Sequence, residues 1–211
     1  MNKNDEHSHE ENAPEGFSGD SSRIWIHEVT PALAAQVSNA IWDIAQKNPG
    51  PILLYIDSPG GDVDAMATII AAMESIPNPI ITVAMGKAMS AGAIILAHGD
   101  MRLVSPHARV MVHEVSSGAI GNVNDMVADA QENVRVNDYW MRRMAKVTGR
   151  TVKQFKKLFT NERRELYFGP QEAVEFGLAD AVGVPNVVTN ATFTVSVFQK
   201  PEKVKKAAKK K

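Results

Sequence analysis

Apolar residues recur along this chain in two alternating rhythms. Arg23 to Val29 (RIWIHEV) alternates as a strand does, and Pro31 to Ala45 then sets Leu33, Val37, Ile41 and Ile44 on one helical face, with Pro31 near its start. Ile52 to Ile56 (ILLYI) is an unbroken apolar run of the buried-strand type. It ends in Asp57-Ser58-Pro59-Gly60-Gly61, after which Asp62 or Asp64 can cap a helix carrying Met66, Ile69, Ile70 and Met73. Pro77-Asn78-Pro79 breaks the chain; Ile80 to Ala84 reads as the next strand, Gly86 to Ser90 as a turn and Ala91 to Ala97 as a short helix. Leu103-Val104 and Arg109 to Val115 supply further strand. A long helix is predicted from about Asn122 to Val147, ahead of Thr148-Gly149, with others near Val152 to Phe159 and Gln171 to Phe176.

Strands that alternate with helices predict an α/β fold, a mostly parallel sheet with right-handed crossovers and helices packed on its faces. Ligands in such sheets gather at the carboxyl ends of the strands. Both glycine-rich turns, Pro59 to Asp62 and Gly86 to Gly92, fall at that edge and are predicted to be neighbours in space.

At 211 residues, of which 44% are hydrophobic, the chain can bury one substantial core, and its length favours a single domain. The absence of cysteine excludes disulfides, thiolate zinc sites and a cysteine nucleophile, so nucleophilic chemistry must use oxygen or nitrogen. A net charge of -1 hides two unlike ends. Residues 1–22 are acidic, polar and without apolar periodicity, and are expected to form a disordered leader. The domain is expected over 23–185, followed by an extension over 186–211. In that extension Val187 to Phe198 alternates in part like an added strand, and Lys200 to Lys211 is a lysine run that reads as a solvated tail rather than a nucleic-acid contact. No apolar run approaches the roughly 18 residues of a membrane span, and the leader lacks an apolar h-region, so a soluble cytoplasmic protein is expected. The histidines lack ligand spacing with carboxylates; no metal or cofactor is expected.

The chemistry concentrates in the two turns. Ser90 lies between a buried strand and a helix, among residues small enough to let another backbone approach, and near the unpaired amides and positive dipole end of that helix. A helix N-cap is the plainer reading of such a serine. Ser58-Pro59-Gly60-Gly61 adds a turn that can point amides outward as anion-binding donors, and the two loops together form an acyl-transfer arrangement of nucleophile and oxyanion hole. A serine needs a base at neutral pH. His7 and His9 lie in the leader and His27 in the first strand, while His98 and His107 read as surface residues. His113 sits inside the apolar run Val110-Met111-Val112, where an imidazole requires partners, and is the best candidate. Trp140, Met141 and Met144 form an apolar stripe on the long helix that reads equally as core packing or as a contact surface.

Four segments in series, YIDSPGGDVDAM, MGKAMSAGAIIL, SPHARVMVHEV and EAVEFGLADAV, resemble the proteolytic subunit of ATP-dependent Clp proteases. The resemblance spans most of Ile24 to Gly183. It implies a spiral of repeated strand-strand-helix units, of the kind shared with crotonases, and a protruding handle helix over Asn122 to Val147. It also implies serine endopeptidase activity on polypeptides, with Ser90 as nucleophile, His113 as base and the amides of Gly60 or Gly61 and of Ala91 as oxyanion hole. Gly118 and Gly121 would lie in the substrate-facing segment. The family carries an aspartate as third triad member, where this chain reads Asn161-Glu162-Arg163-Arg164-Glu165; Glu165 is preferred, with Glu162 as the alternative. A homo-oligomer of stacked rings, heptameric in the family, and an AAA+ unfoldase partner are further implications, although the acidic leader lacks the family's N-terminal pattern. Alternative readings are a catalytically impaired subunit of a mixed ring, a phage head-maturation protease, a crotonase-like acyl-CoA enzyme, and a Ser-Lys dyad using Lys87.

Overall fold

The computed structural model describes residues 19–20, 23–118, 120–159 and 164–185. The expected leader apart from Gly19–Asp20, the added strand over 187–198, the lysine tail and Glu162 lie outside these residues.

Strand β1 (Gly19–Asp20) pairs antiparallel with β2 (Arg23–Ile26), and β2 runs parallel to β3 (Ile52–Ser58). Between β2 and β3 lies helix α1 (Pro31–Lys47). Thr30 caps it by accepting from the Leu33 amide, Pro31 occupies its first turn, and Leu33, Val37, Ile41 and Ile44 are buried on the inner face. Each fully buried aliphatic side chain of this kind contributes roughly 1.5–3 kcal/mol relative to exposure. Helix α2 (Val63–Glu74) is capped by Asp62, whose carboxylate accepts from the Ala65 amide at 2.7 Å. It buries Met66, Ile69, Ile70 and Met73.

The next strand, β4 (Ile80–Met89), continues through the stretch expected to be a turn. Its first half pairs parallel with β3 and with β5 (Met101–Val104), whereas Lys87, Ala88 and Met89 pair parallel with β6 (Arg109–His113). The switch of partner coincides with an irregularity: between Ile56/Ala84 and Ser58/Ala88, β3 advances two residues while β4 advances four. Asp57 fills the widened place. Its Oδ1 accepts from the Lys87 amide at 3.2 Å and from Lys87 Nζ at 3.4 Å. An excess residue in one strand bends it and re-aims the residues beyond, and here the end of β4 is turned toward β6.

Helix α3 (Ala91–Ala97) begins at the end of β4 and lies back on it, with Thr82 Oγ1 donating to the Leu96 carbonyl at 2.7 Å. The long helix α4 (Val123–Val147) is capped by Asn122 and has two characters. Its first half is exposed, including Val123, Met126, Val127 and Val134; its second half buries Trp140, Met141, Met144 and Ala145 in the core. The stripe of Trp140, Met141 and Met144 is therefore core packing. Helix α5 (Val152–Lys156) is shorter than expected and starts with a capping box between Thr151 and Gln154. Strand β7 (Glu165–Phe168) pairs antiparallel with β6, helix α6 (Pro170–Phe176) ends in a left-handed Gly177, and β8 (Ala181–Val182) closes the sheet beside β5. The result is a mixed α/β fold whose sheet is mainly parallel, with six helices among the described residues. None of them is long and apolar enough to cross a membrane.

Three helices are tied together away from the sheet by one polar cluster. Arg143 of α4 forms an ion pair with Glu74 of α2 and donates from Nε to His98 Nε2 at 3.1 Å; His98 Nδ1 in turn donates to the Ile94 carbonyl of α3 at 2.7 Å. Both ring nitrogens of a neutral imidazole are thus used. Burial holds the His98 pKa below its ordinary 6.5, assisted by the charges of Arg143 and Arg102 and opposed by the Ile94 hydrogen bond and by Glu74. As pH falls below about 6.5 the unfolded chain protonates at this position before the folded one, so stability declines until the lowered folded pKa is passed and is level below it. Urea unfolding midpoints are expected to fall from pH 7.5 to 5.5 more steeply for the wild type than for His98→Gln; equal slopes would show that His98 is not buried as the neutral form.

Candidate active site

The end of β4 and the start of α3 meet in a single residue, Ser90. Its backbone has φ 52° and ψ -120°, the one positive φ among the described non-glycine residues. Such a conformation costs of order 1–3 kcal/mol and persists only where the surroundings enforce it. Here the Ser90 amide donates to the Met111 carbonyl of β6 at 2.8 Å, while the Ser90 carbonyl accepts from the amides of Ala93 and Ile94. The residue is consequently pinned between strand and helix with its side chain turned out of both.

Period-two alternation along β6 puts His113 on the same side as Met111. The ring of His113 reaches the serine: Nε2 and Ser90 Oγ are 2.7 Å apart, a hydrogen-bonding contact. No other histidine touches Ser90 among the described residues. His27 stacks beside Trp25, His98 belongs to the Arg143 cluster, and His107 is exposed. The ammonium of Lys87 faces Asp57.

The turn after β3 lies against this pair. Gly60 has φ 107°, and a Cβ there would stand 2.6 Å from Ser90 Cβ and 3.2 Å from its Oγ. Gly61, at φ 145°, packs so closely on the carbonyl of Val29 that a Cβ would come within 2.2 Å of that oxygen. Val29 braces the turn by donating to the Gly60 carbonyl and accepting from the Asp62 amide, both at 2.8 Å. The two glycine amides differ in their availability. Gly60 N–H donates to Ser58 Oγ at 3.1 Å, whereas Gly61 N–H has no acceptor among the described residues. Ala91, the first residue of α3, has no intrahelical acceptor for its amide.

Glu165 stands directly opposite His113 in the antiparallel β6–β7 ladder. Residues so paired have adjacent Cβ atoms. The carboxylate nevertheless points along its own strand, where Oε2 accepts from Tyr167 Oη at 2.8 Å, and that bond raises the tyrosine pKa above its ordinary value. His113 Nδ1 has no hydrogen-bond partner among the described residues. Gly118 and Gly121 lie in the exposed loop beyond β6, and Gly118 has nothing within 4 Å of where a Cβ would be. The residues of that segment that border the cavity beside Ser90 are Glu114, Val115 and Ser116.

A strained serine held against an imidazole, next to an amide without an acceptor among the described residues, is an arrangement that can support nucleophilic attack by the hydroxyl. The family model described as Clp protease matches residues 20–186. The chain belongs to the Clp protease family. Membership in this peptidase family agrees with the order of the four sequence segments, and the matched range includes every residue that borders the Ser90 cavity. Within it, the lining contributed by Val63, Met66, Ile94 and Trp140 was not singled out by sequence as part of a site. Only Met66 and Trp140 carried a signal, and that signal was apolar periodicity, which marks burial rather than contact with a ligand.

Gly60→Ala should separate these packing roles from general stability. The added methyl meets Ser90 itself, so reaction of the serine with a fluorophosphonate is expected to fall at least about tenfold while the circular dichroism spectrum is retained. Unchanged labelling would mean that the turn does not press on Ser90.

Proposed function

We propose that this Clp-family chain is a serine endopeptidase in which Ser90 attacks the scissile carbonyl and His113 is the general base. The observation that carries the reading is the 2.7 Å contact of Ser90 Oγ with His113 Nε2 at a residue held in a strained backbone conformation. As Oγ bonds to the carbonyl carbon, its proton passes to Nε2; the carbonyl oxygen, now negative, is received by the amides of Gly61 and Ala91, with Gly60 shaping the turn. The proton then goes from His113 to the leaving amine as the C–N bond breaks, and water hydrolyses the acyl-enzyme by the same route in reverse. Glu165 serves as third member once its carboxylate turns from Tyr167 toward His113, a change within reach of a residue already opposite in the ladder. The loop bearing Gly118 and Gly121 offers exposed backbone along which a polypeptide can lie.

Intact-mass analysis after fluorophosphonate treatment tests the chemistry. One adduct is expected on the wild type and none on Ser90→Ala or His113→Ala; Glu165→Gln should slow labelling at least about tenfold, since loss of the orienting carboxylate in a triad costs far more in turnover. A folded wild type that takes no adduct would instead support a catalytically impaired subunit, a reading favoured by the bond between Glu165 and Tyr167.

Assembly belongs to the same reading. Val123, Met126, Val127 and Val134 project from the first half of α4 at 76%, 44%, 51% and 66% exposure, and Ile120 just before it is fully exposed. Apolar side chains grouped on one such segment are placed for contact between copies in a ring assembly of the family's kind. Sedimentation velocity at micromolar concentration should show oligomers that Val127→Glu together with Val134→Glu dissociates; a wild type that sediments only as monomer would remove assembly from the proposal.

A further inference from the structure

Glu165 has two neighbours on one face of the β6–β7 ladder. Residues directly opposite in an antiparallel pair project to the same side, and alternate residues of one strand share a face. His113 stands opposite Glu165, and Met111 opposite Tyr167. Glu165 therefore adjoins His113 across the ladder and Tyr167 along its own strand. The carboxylate has taken the second neighbour: Tyr167 Oη donates to Oε2 at 2.8 Å, and no hydrogen bond joins Glu165 to His113 among the described residues.

The two sides differ in charge. Toward Tyr167, Glu165 shares a cavity with Glu172, Glu175 and Arg150. The guanidinium of Arg150 is engaged elsewhere, donating to the carbonyls of Thr148 and Phe176 and lying 3.8 Å from the Phe176 ring centroid. Toward His113, Glu165 borders a second cavity, whose other charged residues are Glu114 and Arg164. The His113 side thus holds one carboxylate fewer, and the Tyr167 hydroxyl keeps Glu165 on the more acidic side. The tyrosine has little other work to do in the fold. Its side chain is 59% exposed and stands outside the core, and among the described residues its hydroxyl bonds only to Glu165.

We propose that Tyr167 is a positioning residue that restrains the site: by holding Glu165 along β7 it keeps the carboxylate from orienting His113, and loss of that one hydrogen bond accelerates attack by Ser90. This inference rests on the peptidase reading and adds a brake to it. Release needs only a rotamer change at Glu165, because the ladder already sets that residue opposite His113. A neutral hydroxyl on an exposed carboxylate competes with water for its partner, so the tie is weak enough to open.

The rate of fluorophosphonate labelling tests this on the full-length protein, since Oγ bonds to phosphorus, fluoride leaves and the Oγ proton passes to His113. At about pH 8.5, Tyr167→Phe is expected to label at least about threefold faster than the wild type, the factor that a modest hydrogen bond contributes to an equilibrium between two rotamers. The midpoint of the rate against pH should also move upward, because a carboxylate at Nδ1 favours the imidazolium and the basic form is reached at higher pH. The charged groups around the pair are Glu114, Arg164 and Glu165 beside His113, and Arg109, Arg150, Glu172 and Glu175 beside Tyr167. Tyr167→Phe alters none of them, so a shifted midpoint reports the position of Glu165. In a Glu165→Gln background the same substitution should change neither rate nor midpoint. If Tyr167→Phe labels no faster than the wild type, or gains equally in the Glu165→Gln background, the brake is refuted and the peptidase reading stands. Adduct on Tyr167→Phe with none on the wild type would show the brake fully closed. No adduct on either protein overturns the peptidase reading and this inference with it.

Discussion

Strand β4 cannot stay with one pair of neighbours along its whole length, and the site exists because it does not. Two extra residues in β4 opposite Asp57 turn its last three residues out of register with β3 and toward β6. Once Met89 pairs with Met111, the next amide, that of Ser90, is delivered to the Met111 carbonyl, and the side chain two positions further along β6 is His113. The meeting of Ser90 and the His113 imidazole is therefore a matter of strand register, set by backbone hydrogen bonds. A one-residue slip of β6 would send His113 to the opposite face.

The conformation at Ser90 is enforced from several sides. Its amide is taken by β6, its carbonyl by the first turn of α3, and the space over its Cβ is occupied by Gly60 at a distance that no other residue could keep. Gly61 is pressed in the same way on Val29, which ties the turn after β3 to the chain leaving β2. Ser90, His113 and the glycine turn thus come from three strand ends and are held mainly by backbone.

Much of this arrangement was legible in the sequence. Helices α1, α2 and α3, the mainly parallel sheet and the neighbouring glycine turns follow from apolar periodicity, capping residues and the topology of α/β sheets; Ser90 stands out by its place between a buried strand and a helix beside a second glycine turn, and His113 by the cost of an unpartnered imidazole in an apolar run. The continuation of β4 through Gly86 to Met89 was not legible, since Gly86 beside a lysine has the composition of a turn and the bulge that accommodates it depends on Asp57 from another strand. The shortening of α5 was likewise invisible in its periodicity. Glu165 could be brought near His113 by resemblance, but its position opposite His113 and its bond to Tyr167 are products of β6–β7 pairing, which composition does not encode. Trp140 illustrates a different limit: periodicity assigns it to an apolar face without saying whether that face meets core, partner or substrate, and in the fold it meets the core and the Ser90 cavity at once.

Helix α4 joins these two environments. At 1.5 Å per residue its 25 residues span roughly 37 Å, from a first half that stands free of the core to a second half that carries Trp140 into the cavity wall. No proline or glycine interrupts it, so one unbroken helix carries both an exposed apolar segment and a residue of the wall beside Ser90.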